Sequence, residues 1–293
     1  MKLVRLEGGP AQWYDVKDAA DILWRSTLSP DINAITASLR DLYPNPTLTL
    51  SELHTGFNAS RRGVVVCNND KITIAFLGSD VMELYMNTWT DGAGWLGIPY
   101  AVFENGNRIH SFYRDMWHAM RQAAFDALDR AVGDMAARGT TPKQIIVAGF
   151  SMGGGISIMA FTDILERIRH TWGDPSGSPQ SWARDEVLRE LVQHITFAAV
   201  AAGDQGYYTV LNDLYDKYQI RAWDFMNRYD FTVNFHHGAF RSWRGYRYVL
   251  PDAMVRQFSG EFGLNAHGIL GYLKVAEWMA GGGDGQVNSV YDY

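Results

Sequence analysis

Cysteine is nearly absent: Cys67 is the only one in 293 residues, so the chain can form no internal disulfide and no thiolate metal cluster. Set in GVVVCNN, it reads as a small apolar strand residue. Long apolar runs are missing too, since none approaches the roughly 18 residues that mark a membrane-spanning helix. The opening stretch MKLVRLEGGPAQWYD lacks the apolar core of a signal peptide. The expectation is therefore a cytoplasmic protein without a transmembrane segment, or a secreted one from which a signal has been removed. The lone sequon Asn58-Ala59-Ser60 is too common a pattern to change that. Concentrated positive charge is lacking as well. The 26 Lys and Arg face 32 Asp and Glu, for a net charge of −6, and no basic cluster falls on a nucleic-acid motif, which discards nucleic-acid binding. The glycines of GGGDGQ open no helix after a strand and so form no phosphate loop. No internal repeat is visible.

What is present is the composition of a globular protein, 47% hydrophobic and 20% charged, able to bury a large core. The length fits one α/β domain over residues 1–293. Asp15 to Trp24 and a segment starting at Ser29-Pro30-Asp31 read as helices, giving a helical N-terminal cap over residues 1–60. Gly63 to Cys67 and Lys71 to Phe76 read as a hairpin turning at Asn68-Asn69-Asp70. Trp117, Met120, Ala124, Leu128, Val132 and Met135 recur at helical spacing until Gly139. A charged helix is expected near Ala183 to Gln193, strands at Ile195 to Val200, Tyr218 to Phe225 and Tyr246 to Leu250, and a last helix from His267 to Met279. Residues 281–293 read as a loose tail. Strands alternating with helices predict a mainly parallel sheet with helices on both faces.

The chemistry is concentrated in Ile145 to Gly155, IIVAGFSMGGG. An apolar β-type run enters the pentapeptide Gly149-Phe150-Ser151-Met152-Gly153, and a helix-compatible stretch follows at once. This is the setting of a nucleophile elbow, in which a serine hydroxyl is exposed on a sharp strand-to-helix turn cleared of side-chain bulk by small neighbours. Ser151 is the expected nucleophile; the structural reading of the same residues is an ordinary turn.

A serine nucleophile needs a base, and the base a carboxylate that fixes its tautomer. On such a sheet they follow in the order Ser, Asp, His. His170 and His194 lie in or beside helix and strand segments and suit solvated or packed roles. His267, at a loop-to-helix entry, competes with the pair His236 and His237. Among the acids, Asp230 sits just past an aromatic-rich strand, whereas Asp224 lies within that strand and Asp252 follows Pro251. A metal site at His236 and His237 would need a third ligand that the sequence does not offer, and no residue is singled out as a metal ligand.

At this point the chain resembles the class 3, fungal-type lipases of the α/β-hydrolase superfamily, over roughly Gly63 to Leu273 and in that family's motif order. IAFLGS (Ile74 to Ser79) is similar to the strand carrying the oxyanion residue, which implies Ser79. RIHSFY (Arg108 to Tyr113) is similar to the next His-containing segment and implies a structural His110. GFSMGG holds Ser151, TFAAVAAGD (Thr196 to Asp204) resembles the following strand and its ligand-facing turn, NRYDFTV (Asn227 to Val233) implies Asp230 as the acid, and NAHGILGY (Asn265 to Tyr272) implies His267 as the base. There are departures. Leu77 stands where the family commonly has Arg, Phe150 where it has His, no Gly separates His110 from Phe112, and Val200 and Val233 replace frequent prolines.

The resemblance implies an α/β-hydrolase fold and a serine esterase or lipase acting on a small-molecule or lipid ester through an acyl-enzyme, with no cofactor and no metal. The oxyanion hole would use the main-chain N–H groups of Met152 and Ser79. Residues 80–98 would form a lid: Met82, Tyr85, Met86 and Trp89 are its apolar candidates for the acyl pocket, Asp91-Gly92-Ala93-Gly94 could hinge, and the open state could touch a lipid interface transiently. The structural reading is that this cluster packs on the core. Acyl transfer by the same three residues, or a ligand-binding protein with an unused triad, are the rival readings.

Overall fold

The computed structural model describes residues 2–5, 10–29, 31–44, 47–55, 61–79, 101–104, 106–173, 182–230, 246–250, 257–258, 264–282 and 286–291. Along them run β1 (Lys2–Arg5), α1 (Pro10–Leu28), α2 (Ile32–Leu42), β2 (Thr49–His54), β3 (Arg61–Asn68), β4 (Lys71–Phe76) and the hairpin β5 (Ala101–Glu104) and β6 (Asn107–His110). Next come α3 (Ser111–Ala137), β7 (Gln144–Phe150), α4 (Met152–Trp172), α5 (Leu188–Leu191), β8 (Val192–Phe197) and α6 (Gln205–Tyr218). β9 (Arg221–Met226), β10 (Tyr246–Val249), α7 (Leu264–His267), α8 (Ile269–Ala280) and β11 (Gln286–Tyr291) complete them.

One sheet of nine strands has the order β1-β11-β10-β9-β8-β7-β4-β3-β2. Its middle, from β10 to β4, is parallel, and antiparallel pairs flank it at both ends. The side-chain period of two sorts the strands cleanly. Val65, Cys67, Ile72, Ile74, Phe76, Ile145 and Val147 pack with α3, α4 and α6 on one face. Val64, Val66, Ala75, Leu77, Ile146, Ala148 and Phe150 pack with α1, α2 and α8 on the other. A sheet covered on both faces buries both sets, which is why these strands read as unbroken apolar runs rather than as alternation. Each fully buried Val, Ile or Phe contributes about 1.5–3 kcal/mol.

Local signals account for several boundaries. Asp31 caps α2, its carboxylate accepting from the N–H groups of Asn33 and Ala34 at 2.9 Å each, as a helix N-cap should. The β3–β4 turn passes through Asn69 in the left-handed region, φ 55°. Parallel strands end at the same edge, so the segments leaving β4, β7 and β9 bring Ser79, Ser151 and Asp230 to one side of the sheet. That edge is where α/β sheets carry their ligands.

Four expectations need correction. The loose tail over residues 281–293 contains β11, which pairs with β1 on one side and β10 on the other; its partners lie far away in sequence, so local composition does not reveal it. The helical cap over residues 1–60 does hold α1 and α2, but α1 covers one face of the sheet alongside α8, and β1 and β2 form the sheet's two edges. The charged helix near Ala183 to Gln193 shrinks to a 3-10 turn, Asp185–Val187, followed by the four-residue α5, because Val192 and Gln193 already belong to β8. Tyr218 ends a helix instead of beginning a strand: α6 was not foreseen, and it stops where Gln219 turns left-handed at φ 53°.

Candidate active site

Ser151 stands between β7 and α4 with φ 55° and ψ −121°, a backbone region that costs a non-glycine residue about 1–3 kcal/mol. The turn holds because its neighbours leave no alternative. A Cβ on Gly153 would lie 2.1 Å from the Phe76 carbonyl oxygen, and one on Gly149 would lie 2.4 Å from that of Gly153. The Ser151 N–H donates to the Phe197 carbonyl at 2.9 Å, and the Ser151 carbonyl accepts from Gly154 N–H at 2.9 Å. The elbow is thus fastened to β4, β8 and its own helix.

His267 comes from the end of α7. Its Nε2 lies 2.7 Å from Ser151 Oγ and its Nδ1 lies 2.7 Å from Asp230 Oδ2. An ionised carboxylate only accepts, so Nδ1 carries the ring proton and Nε2 faces the hydroxyl as an acceptor. Asp230 and Ser151 are 1% and 2% exposed, and His267 is 9% exposed. A hydroxyl in this row can pass its proton to Nε2 while the buried carboxylate stabilises the imidazolium.

Phe150, the residue before the serine, packs its ring 5.0 Å from the His267 ring. It also covers Gly78, where a Cβ would sit 2.7 Å from Phe150 Cδ1. On the other side of the elbow, Ser79 Oγ donates to Met152 Sδ at 3.0 Å, so Ser79 and the first residue of α4 lie together.

The other candidates separate from this row. Asp224 is buried in β9, where its Oδ1 accepts from Thr196 Oγ1 at 2.8 Å. His110 caps α3, its Nδ1 accepting from Phe112 N–H at 3.2 Å, and its ring packs 4.9 Å from that of Tyr113. His170 is exposed near the end of α4. His194 is wholly buried in a second hydrogen-bonded row. Ser157 Oγ gives its one proton to the Gly154 carbonyl at 2.8 Å, so His194 Nε2 donates to Ser157 Oγ at 3.0 Å and the Tyr215 hydroxyl donates to Nδ1 at 2.6 Å. That row ties α4 to β8 and α6 with no solvent access. His236, His237, Asp252 and the lid segment with Met82, Tyr85, Met86 and Trp89 lie outside the described residues.

Burial pushes the Cys67 thiol up against an opposing hydrogen bond from Thr49, which removes it as a thiolate nucleophile. Among the described residues no group of three or more His, Cys, Asp or Glu could hold a metal ion, and no described helix is long and apolar enough to cross a membrane.

The sequence pattern of the class 3 lipases matches residues 73–236, more than half of the chain. This chain belongs to the class 3 lipase family. The matched span runs from inside β4 past Asp230, taking in the elbow and the acid loop. Solved lipases share the fold at low identity. The native Rhizomucor miehei lipase propeptide complex aligns with a TM-score of 0.59 and 13% identity, over 86% of this chain and 71% of its own. The lipase of Rhizopus microsporus var. chinensis gives 0.58 and 13%, over 85% and 77%. Lipase II from Rhizopus niveus gives 0.57 and 15%, over 85% and 83%. The mostly parallel sheet of this class 3 lipase is accordingly an α/β-hydrolase sheet. No curated protein sequence matches the chain.

Sequence reasoning passed over one residue at this edge. Asn227, directly after β9, donates through Nδ2 to the Ala266 carbonyl at 3.1 Å and accepts at Oδ1 from Tyr229 N–H at 3.0 Å. Nothing in one sequence signals a contact between residues 39 positions apart.

Proposed function

We propose that this class 3 lipase is a serine esterase that hydrolyses an apolar or lipid-like carboxylic ester through an acyl-enzyme. The observation that carries the reading is the unbroken row Asp230, His267, Ser151 with both contacts at 2.7 Å. Ser151 Oγ attacks the ester carbonyl carbon as its proton moves to His267 Nε2. The carbonyl oxygen becomes an oxyanion, facing the main-chain N–H groups of Met152 and Ser79. The tetrahedral intermediate collapses, the alcohol leaves with the proton from Nε2, and Ser151 keeps the acyl group. Water then attacks the acyl-enzyme, giving its proton to Nε2, and collapse releases the acid and returns the proton to Oγ. Asp230 holds the ring and stabilises the imidazolium. Each preorganised oxyanion donor in such a site is worth about 2.7–4 kcal/mol.

The apolar nature of the substrate is supported by the class 3 lipase match and by the clustering of Met82, Tyr85, Met86 and Trp89 in sequence. One fungal lipase–inhibitor complex of this fold, TM-score 0.56 at 13% identity over 86% of this chain, is described as a model for interfacial activation in lipases. Residues 80–98 are assigned here as a lid in that sense, so contact with a lipid surface would favour the open state through its greater affinity for it.

The test is covalent. A fluorophosphonate should phosphonylate Ser151 stoichiometrically, as read by intact mass and peptide mapping, and label neither Ser151→Ala nor the acid-unfolded chain. Absence of labelling at Ser151 in the folded protein would sink the serine-esterase reading.

A further inference from the structure

We infer that Asn227 is a positioning residue that sets the register between Asp230 and His267. The inference rests on the serine-esterase reading of the same row and deepens it. Asp230 and His267 come from two different elements, the loop after β9 and the end of α7, which are 37 residues apart. A slip of about 1 Å between such elements can cost roughly 100-fold in rate, so something must fix one against the other.

Asn227 does this with every polar group it has. Its carbonyl accepts from Asp230 N–H at 3.0 Å and its Oδ1 accepts from Tyr229 N–H at 3.0 Å, which together close the turn that presents the Asp230 carboxylate. Its Nδ2 donates to the carbonyl of Ala266 at 3.1 Å, the residue immediately before His267. Its own N–H donates to the hydroxyl of Tyr272 in α8 at 2.8 Å. One side chain thus folds the acid's turn and grips the base's backbone. The side-chain orientation is fixed by chemistry, because Tyr229 N–H can only donate and Ala266 C=O can only accept.

This geometry explains why the residue is asparagine. Aspartate would set a carboxylate oxygen against the Ala266 carbonyl and place a second negative charge beside Asp230. Alanine would abandon both contacts inside a site where Asn227 is 1% exposed. The hydrogen bonds of Asn227 described above run to Tyr272, Ala266, Tyr229 and Asp230, and none of them is to Ser151.

The experiment pairs kinetics with a readout that needs no turnover. In wild type the His267 Nδ1 proton, held between ring and carboxylate at 2.7 Å, should appear as a far-downfield resonance in the proton NMR spectrum. In Asn227→Ala that resonance should move upfield or broaden away, and kcat on a p-nitrophenyl ester should fall by about 100-fold while KM stays within about twofold. Tyr272→Phe removes the hydroxyl that accepts from Asn227 N–H. It should move the same resonance in the same direction with a loss of about tenfold or less, and it carries the test if Asn227→Ala does not fold. A folded Asn227→Ala with the resonance unmoved and kcat within about threefold of wild type would overturn the inference, as would an unmoved resonance in Tyr272→Phe when Asn227→Ala is unfolded. If wild type neither turns over esters nor takes a fluorophosphonate, the esterase reading fails by itself, and the proton resonance still reports whether Asn227 holds the pair.

Discussion

The ring of Phe150 lies 5.0 Å from that of His267, centroid to centroid, with the planes inclined by 31°. In the proposed mechanism His267 takes the serine proton, which would form a cation against that aromatic ring, an interaction worth about 0.5–2 kcal/mol. Phe150→Leu keeps an apolar side chain there and removes the π-face. The expected result is a kcat lower by about 2- to 30-fold with KM little changed. Full retention of kcat would show that the ring only fills space.

Ser151→Ala should leave the fold intact and lower kcat by about 10⁴-fold or more, with His267→Ala as damaging and the double variant little worse, because residues acting as one unit are not additive. Asp230→Asn should lose about 10⁴-fold by stabilising the wrong imidazole tautomer. Asp224→Asn serves as the comparison: Asp224 sits in β9 and bonds Thr196 of β8, and this variant should retain much more activity. Steady-state kinetics beside circular dichroism decide it, and a reversed order of Asp230 and Asp224 would reassign the acid.

Acyl preference tests the lid assignment. A panel of p-nitrophenyl esters of increasing chain length should favour medium or long chains over acetate, and Met82→Ser with Met86→Ser should impair long-chain turnover far more than acetate turnover. Fastest hydrolysis of acetate, or equal losses on both, would refute the lid and leave the row standing.

Away from the site, Lys71 Nζ lies 3.0 Å from both Asp15 and Asp18, joining the start of β4 to α1. Burial by itself lowers the ammonium's pKa, but Asp18 and Asp15 outweigh it and hold the group above its ordinary 10.5. A raised folded value means the stabilisation is fully present below 10.5 and is lost as pH rises through the folded pKa. Lys71→Met should therefore cost about 1–3 kcal/mol near neutrality. The gap between the two thermal midpoints should close in strongly alkaline solution, and a gap that persists there would trace the loss to packing.

How far the molecule is legible depends on where each residue's partners lie. Ser151 is legible because its surroundings are local: an apolar strand, four glycines and a helix within eleven consecutive residues. Asp230 and His267 are legible through motif order and resemblance, since no local rule pairs residues 37 positions apart. The helix α6 carries readable signals, with Asp204 accepting from Tyr207 N–H as its cap and Tyr208, Leu211, Tyr215 and Tyr218 buried at helical spacing. The aromatic run reaching into β9 masks that period. The pairing of β1 with β11 joins opposite ends of the chain and leaves no local trace, and the grip of Asn227 on Ala266 leaves none either.

The backbone of Ser151, at φ 55°, gives selection two opposed directions. Ser151→Ala and Ser151→Gly both delete the hydroxyl, and Ser151 makes no side-chain cap for α4, so their difference isolates the backbone. Glycine adopts that conformation without strain and alanine, like serine, only at a cost, so the glycine variant should unfold at the higher temperature, by about 1–2 kcal/mol of stability. A lineage screened for thermal endurance alone would drift toward glycine at this position and lose its chemistry in the process. Any programme of directed evolution toward heat tolerance in this protein therefore needs an activity screen in every round.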